Sequence, residues 1–213
     1  MKFKDKLEML VKNPKKFFSL SGRVLKAYLF PLKISPGGNR FSTDLEIETL
    51  QKYSILAKEG IVEIGVLDGK TTAEMAKVAH VPIYGIDPII PDSMNKKLIG
   101  HERLIKQNLS FYKDFYFIKD FSYNAVKSWN KKFDFIFIDG DHNYEAVKRD
   151  CEQWLPLLSA GGFMSFHDSA PVVSVPGAFE GWPGPTQLVS QLKSDSRFEF
   201  LETQDSLSVF KKK

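Results

Sequence analysis

Two places in the chain set acidic and imidazole side chains at the end of an apolar run. In "FDFIFIDGDHNYEAV", Phe133 to Val147, the run Phe135 to Ile138 gives way to Asp139, Gly140, Asp141 and His142. In "GFMSFHD", Gly162 to Asp168, a second run ends in His167 and Asp168. Carboxylates with an imidazole can share a metal ion: two carboxylates suit Mg²⁺ or Mn²⁺, and imidazole tilts the choice toward Mn²⁺ or Fe²⁺. If the two runs are neighbouring strands, their ends lie roughly 5 Å apart, within reach of one ion. Each aspartate taken alone could equally cap a loop or a helix start, and Asp141 reads best as such a cap.

These ends need a scaffold, and the pattern around them supplies one. Strand-length apolar runs occur at 61–66 ("IVEIGV"), 81–87 ("VPIYGID"), 114–120 ("DFYFIKD"), 133–139 ("FDFIFID") and 162–168 ("GFMSFHD"), and most close on an acidic residue. Between them lie "TTAEMAKVAH", "HERLIKQNLSFY", "SYNAVKSWN" and "NYEAVKRDCEQWLPLL", all helix-like in composition or spacing. Five alternations of strand and helix predict an α/β fold: a doubly wound, mostly parallel, Rossmann-like sheet with helices on both faces. The tail, "TQLVSQLKSD" followed by "FEFLE" and "SLSVFK", predicts a last helix and a closing antiparallel hairpin. Ahead of the sheet, Thr43 and Glu46 form a capping box, and Leu45, Leu50, Tyr53 and Leu56 give a helical stripe ending before Gly60. "SPGGNR", Ser35 to Arg40, separates this domain, 41–213, from an N-terminal helical arm and linker over 1–40.

In such folds ligands bind beyond the carboxyl ends of the strands. The first strand turns into its helix through "VEIGVLDGKTT", where Gly65 and Gly69 let the backbone approach a ligand and the helix start offers free amides. A dinucleotide fingerprint would need glycines at 67 and 70, which are Leu67 and Lys70. Asp87 closes the second strand about 20 residues on, where an acid can accept both hydroxyls of a ribose. Glu63-x-Gly65-x-x-x-Gly69 followed by "YGIDP" resembles the class I S-adenosylmethionine-dependent methyltransferases, over residues from about 43 to 213. The resemblance implies S-adenosyl-L-methionine as cofactor, Gly65 and Gly69 along its methionine portion, Asp87 on its ribose and Glu63 beneath the loop. It also implies that Asp120, Phe121 and Ser122, after the third strand, cradle the adenine.

"FIFIDGDHNYEAVKRDCEQWLPLLSAGGFMSFHD" further resembles the subgroup of macrolide and sugar O-methyltransferases, the family 24-like methyltransferases. In members with a metal, one Asp ends the fourth strand, an acidic pair ends the fifth, and a His three residues past the first Asp is the base. That implies Asp139 and His142 as the catalytic pair, and Asp139, His167 and Asp168 around Mg²⁺ or Mn²⁺. The acidic pair falls here on His167 and Asp168, so only its second position matches. The residue types suit the chemistry. Methyl transfer from a sulfonium needs no acid for its leaving group, whereas a sugar hydroxyl is a weak nucleophile that gains from a positioned base and a metal. "SAPVVSVPGAFEGWPGPTQ", Ser169 to Gln187, reads as an irregular lid too rich in Gly and Pro for regular structure, in which Trp182 could stack on a sugar face or equally be a surface-packed loop aromatic.

Two other readings share these residues. His142, His167 and one aspartate could make the two-histidine, one-carboxylate set of an Fe(II)-dependent oxygenase. A non-catalytic nucleoside-binding module would keep the pocket alone. The totals, 43% hydrophobic and 26% charged over 213 residues, are those of a globular domain. A lone cysteine, Cys151, excludes an internal disulfide framework, and no apolar run spans a membrane, so the expected home is the cytoplasm. Residues 1–33 carry nine Lys or Arg against Asp5 and Glu8, leaving the rest of the chain at net −3. The arm therefore suits a peripheral membrane or subunit contact, including a homo-oligomer, while the acidic body predicts no nucleic acid and the resemblance implies a small-molecule acceptor.

Overall fold

Phe135 and Phe137 point to one side of their strand and Ile136 and Ile138 to the other, and both sides are buried. A computed structural model describes residues 42–90, 101–175, 177 and 179–213. The basic arm and linker expected over 1–40 lie outside the described residues. Seven strands form one sheet: β1 (Ile61–Ile64), β2 (Ile83–Ile86), β3 (Phe115–Ile118), β4 (Phe135–Ile138), β5 (Phe163–Phe166), β6 (Phe198–Gln204) and β7 (Leu207–Lys212). Their order is β3-β2-β1-β4-β5-β7-β6. The first five are parallel, and β7 runs antiparallel to both its neighbours. This is the doubly wound, mostly parallel sheet with a closing hairpin that the alternation of runs predicts.

Helices α1 (Asp44–Leu56), α2 (Lys70–Ala76) and α3 (His101–Asn108) cover one face. Leu50, Tyr53, Met75 and Ile105 pack there on Ile61, Ile83, Phe135 and Phe137. The short α4 (Ser122–Ala125) with α5 (Tyr144–Trp154) and α6 (Pro183–Leu192) covers the other, where Val147, Trp154, Leu188 and Leu192 meet Val62, Ile136, Ile138 and Met164. Strands buried on both faces need unbroken apolar runs, which is why β4 reads Phe-Ile-Phe-Ile.

Two local expectations change. The α1 capping box forms as predicted, with the Glu46 N–H donating to Thr43 and the Thr43 N–H donating to Glu46. The buried face, however, is Glu46, Ile47, Thr49, Leu50, Tyr53 and Ser54, while Leu45 and Leu56 of the expected stripe are 40% and 47% exposed. Three of the inward positions are polar, so an apolar count sees the wrong side of the helix. At the other end of the domain, Pro183, Gly184 and Pro185 of the expected irregular lid open α6. Proline fits the first helical turn because its φ is preset and its missing N–H has no partner there to lose.

Candidate active site

The strand register brings the chemistry to one edge. Ile64 pairs with Ile86 and Ile138, and Ile138 with Phe166, so Gly65, Asp87, Asp139 and His167 all stand one step past their strands. The ladder continues through that step: Asp139 N–H donates to Ile64 (2.8 Å), Gly65 N–H to Ile86 (2.9 Å) and His167 N–H to Ile138 (3.1 Å). The strand order reverses between β1 and β4, where open α/β sheets leave a crevice for ligand.

The glycine turn borders that crevice. Gly65, Leu67 and Gly69 all have positive φ, at 91°, 53° and 78°. A Cβ on Gly65 would sit 2.0 Å from the Asp139 carbonyl oxygen, so only glycine lets the turn pass the end of β4. Asp87 clamps the turn: its Oδ2 accepts the N–H groups of Val66 and Leu67, both at 2.9 Å, and its Oδ1 accepts that of Ile89 at 2.7 Å. Glu63 lies beneath, 1% exposed and bonded to the Thr72 hydroxyl. Its burial, reinforced by Asp139 and Asp87, outweighs that bond and raises its pKa to about 8, which favours the neutral acid at neutral pH. In the β3–α4 loop Asp120 caps the N–H of Phe121, and the Phe121 ring stacks on Tyr123 with centroids 5.0 Å apart. The Ser122 hydroxyl instead turns inward to buried Asp150. A cleft of about 480 Å³ along the outer face of β2 and β3, lined by Tyr84, Tyr116 and Trp129, shares only Asp120 with this set.

At the ends of β4 and β5, Asp139, His142 and Asp168 place one ligand atom each within 4.8 Å of one another. His142 Nε2 lies 3.0 Å from Asp168 Oδ2 and 3.7 Å from Asp139 Oδ1. The nearer contact is an electrostatic one, because Nε2 has no partner in hydrogen-bond geometry. Burial pulls the His142 pKa down, but the two carboxylates more than offset it and raise it to about 9. Asp168 holds a left-handed backbone, φ 56°, which aspartate tolerates better than most residues. Asp141, expected as a helix-start cap, instead accepts the Asn143 N–H at 2.9 Å in a turn ahead of α5, whose N-cap is Asn143 with no side-chain capping bond. His167, expected among the metal ligands, is 3% exposed and directs both ring nitrogens at carboxylates: Nδ1 at Asp139 (3.1 Å) and Asp168 (3.3 Å), Nε2 at Glu46 (3.3 Å). Burial disfavours its charge, yet those carboxylates hold its pKa well above the usual value. Burial likewise raises Asp139, and the two histidines bring it down to about 2.

The lid crosses this cluster. Trp182 N–H donates to the Asp168 carbonyl at 2.8 Å, and its ring lies 5.5 Å from that of His142. Asp205, at the β6–β7 turn, accepts the N–H groups of Val173 and Ser174. A Cβ on Gly184 would meet the His142 carbonyl at 2.2 Å, so the start of α6 presses on the His142 loop. Glu46 and Asp205 escaped the sequence reading. The only signal for Glu46 was the capping box, and Asp205 gave none.

A family model described as a methyltransferase domain matches residues 62–169, from β1 through the end of β5 and over half the chain. The chain belongs to this methyltransferase family. Among solved methyltransferase structures, that of the O-methyltransferase from Bacillus cereus in complex with SAH is 18% identical, with a TM-score of 0.58 over 92% of this chain and 89% of that one. SAH-bound methyltransferase PaMTH1 of Podospora anserina is 15% identical, with a TM-score of 0.60 over 94% and 97%. At these identities the likeness is one of fold: the Rossmann-like methyltransferase fold. An uncharacterized protein of Acanthamoeba polyphaga mimivirus is 27% identical over 117 residues, 50% of each chain, so the chain spans about half the length of that curated relative. Among the described residues no helix is long and apolar enough to cross a membrane.

Proposed function

We propose that the chain transfers a methyl group from S-adenosylmethionine to a hydroxyl of a small, sugar-like acceptor, with His142 as general base. The observation that carries this reading is the grouping of Asp139, His142 and Asp168 within 4.8 Å, at the strand edge that also bears the glycine turn. On this reading Gly65, Gly69 and the amides at the start of α2 line the methionine portion, Asp87 takes the ribose, and the loop Asp120–Ser122 takes the adenine. Neutral Glu63 holds the turn from below without adding charge to it. The solved relatives with SAH bound support the cofactor. The Trp182 ring, 40% exposed and beside His142, gives a sugar ring a face to stack on.

The reacting hydroxyl is a weak nucleophile, and His142 accepts its proton as the methyl group moves in line from sulfur to oxygen. Asp139 and Asp168 orient the hydroxyl toward the cofactor. As arranged, these carboxylates also hold a proton on His142, so the base role requires their charge to be balanced. The donor set fits a hard divalent cation such as Mg²⁺ or Mn²⁺, which Asp139 and Asp168 would hold. When bound it supplies positive charge that lowers the pKa of an adjacent hydroxyl. His167 stays behind them, its nitrogens engaged with Glu46 and Asp139. Membership of a methyltransferase family weighs against an Fe(II)-dependent oxygenase on the same residues.

Calorimetry with S-adenosylmethionine and its demethylated product, with and without Mg²⁺ or Mn²⁺, tests the cofactor. A panel of free sugars assayed for methyl transfer tests the acceptor. Both nucleosides are expected to bind. Binding of neither would sink the cofactor assignment, and binding without methylation of any sugar would sink the acceptor class.

A further inference from the structure

Glu46 has no place in the chemistry just outlined, yet it is only 1% exposed and reaches the site from α1, far away in the chain. Its Oε2 accepts the Thr43 N–H at 2.7 Å and lies 3.3 Å from His167 Nε2. Its Oε1 accepts the Ser206 N–H at 2.8 Å and the Ser206 hydroxyl at 2.6 Å. Both routes end on the candidate catalytic carboxylates. His167 Nδ1 is 3.1 Å from Asp139 Oδ1 and 3.3 Å from Asp168 Oδ1, and Ser206 Oγ is 3.4 Å from Asp168 Oδ1.

We propose that Glu46 is a positioning residue of the methyl-transfer site: it fixes the ring of His167, which in turn holds Asp139 and Asp168 in place. The inference rests on the proposed function above. Its physical basis is the two-sided chemistry of imidazole. A neutral ring presents one N–H and one lone pair, so a carboxylate at each nitrogen selects a ring that donates from both. Glu46 anchors the far nitrogen and thereby aims Nδ1–H at Asp139. Without that anchor the ring can turn or offer Asp139 a lone pair, and the carboxylate loses its fixed direction. Partners of this kind, one contact removed from the reacting groups, commonly matter about 10- to 100-fold in activity.

Glu46→Gln tests this with little disturbance, since glutamine also serves in a capping box. Turnover is expected to fall about 10- to 100-fold with the affinity for S-adenosylhomocysteine unchanged, and the Nε2 resonance of His167 is expected to shift in ¹⁵N–¹H spectra of the histidine rings. In a His167→Gln background the same substitution is expected to add nothing, because the two residues act as one unit. Thr43→Ala breaks the other half of the capping box and also frees Asp205 from the Thr43 hydroxyl, which it accepts at 2.6 Å, but leaves the Glu46–His167 contact in place. It is expected to lower the thermal midpoint while the His167 Nε2 resonance stays where it is. Should Glu46→Gln not fold, Glu46→Asp keeps the charge while drawing it back from His167 and serves the same comparison. Unchanged His167 resonances with wild-type turnover would overturn the proposal. So would a full additional loss in the His167→Gln background, or Thr43→Ala reproducing the shift of the His167 resonance. The ring spectra report on His167 whether or not any acceptor is methylated, so failure of the methyltransferase reading and failure of this one are told apart.

Discussion

His142 is the side chain on which the proposed chemistry turns, because it alone of the described histidines combines partial exposure with two neighbouring carboxylates. His142→Ala is expected to lower turnover about 100- to 10,000-fold while leaving calorimetric binding of S-adenosylhomocysteine intact. Equal turnover in the variant would remove the base assignment. Glu63 makes a prediction of a different kind. Burial raises its pKa from 4.5 to about 8, so between those values the folded protein keeps a proton that the unfolded chain releases. Its contribution to stability is therefore complete below about pH 4.5 and is lost as pH rises toward about 8. Glu63→Gln is expected to flatten this slope, so that urea midpoints at about pH 5 and about pH 8 lie closer together than in the wild type. Parallel slopes in the two proteins would mean that Glu63 is charged when folded.

Elements matter here mainly through where they nearly touch. The β1–α2 turn passes the end of β4 so closely that a single methyl group at position 65 would displace the Asp139 backbone. Gly65→Ala is expected to cost about 1–3 kcal/mol of stability, measured by urea unfolding. It should also reduce turnover about 100-fold by shifting Asp139 relative to the cofactor. The start of α6 bears on the His142 loop in the same way. Gly184→Ala, which bears on the His142 loop and not on the glycine turn, is expected to leave S-adenosylhomocysteine binding intact while lowering turnover, and loss of nucleoside binding would contradict that division. The strands and most helices could be read from apolar spacing, because each period of two or 3.6 residues is local. The first turn of α6 could not, since Pro183, Gly184 and Pro185 resemble a loop until the neighbours they press on are known.

At the scale of the molecule, the two apolar layers hold the sheet edge level, and the site exists only while they do. Phe135 is fully buried beneath α1, with its ring 6.1 Å from that of Tyr53. Phe135→Ala is expected to cost about 3–5 kcal/mol, read as a lower urea midpoint, with nucleoside binding lost only as the whole domain unfolds. The α/β architecture, the glycine turn, Asp87 at the end of β2 and the pairing of Asp139 with His142 were legible in the linear chain, because each depends on residue types a few positions apart. Which side chains finally meet was not. His167 and Asp168 are adjacent in sequence and their side chains lie 3.3 Å apart, yet the fold carries His167 on to buried Glu46, while Asp168, past the strand end with a left-handed backbone of φ 56°, reaches His142. Glu46 reads locally as half of a capping box and becomes part of the site only through a contact spanning 121 residues. Local periodicity could therefore specify the elements and the edge where chemistry gathers, while the carboxylate–imidazole network was decided by long-range packing that no local pattern encodes.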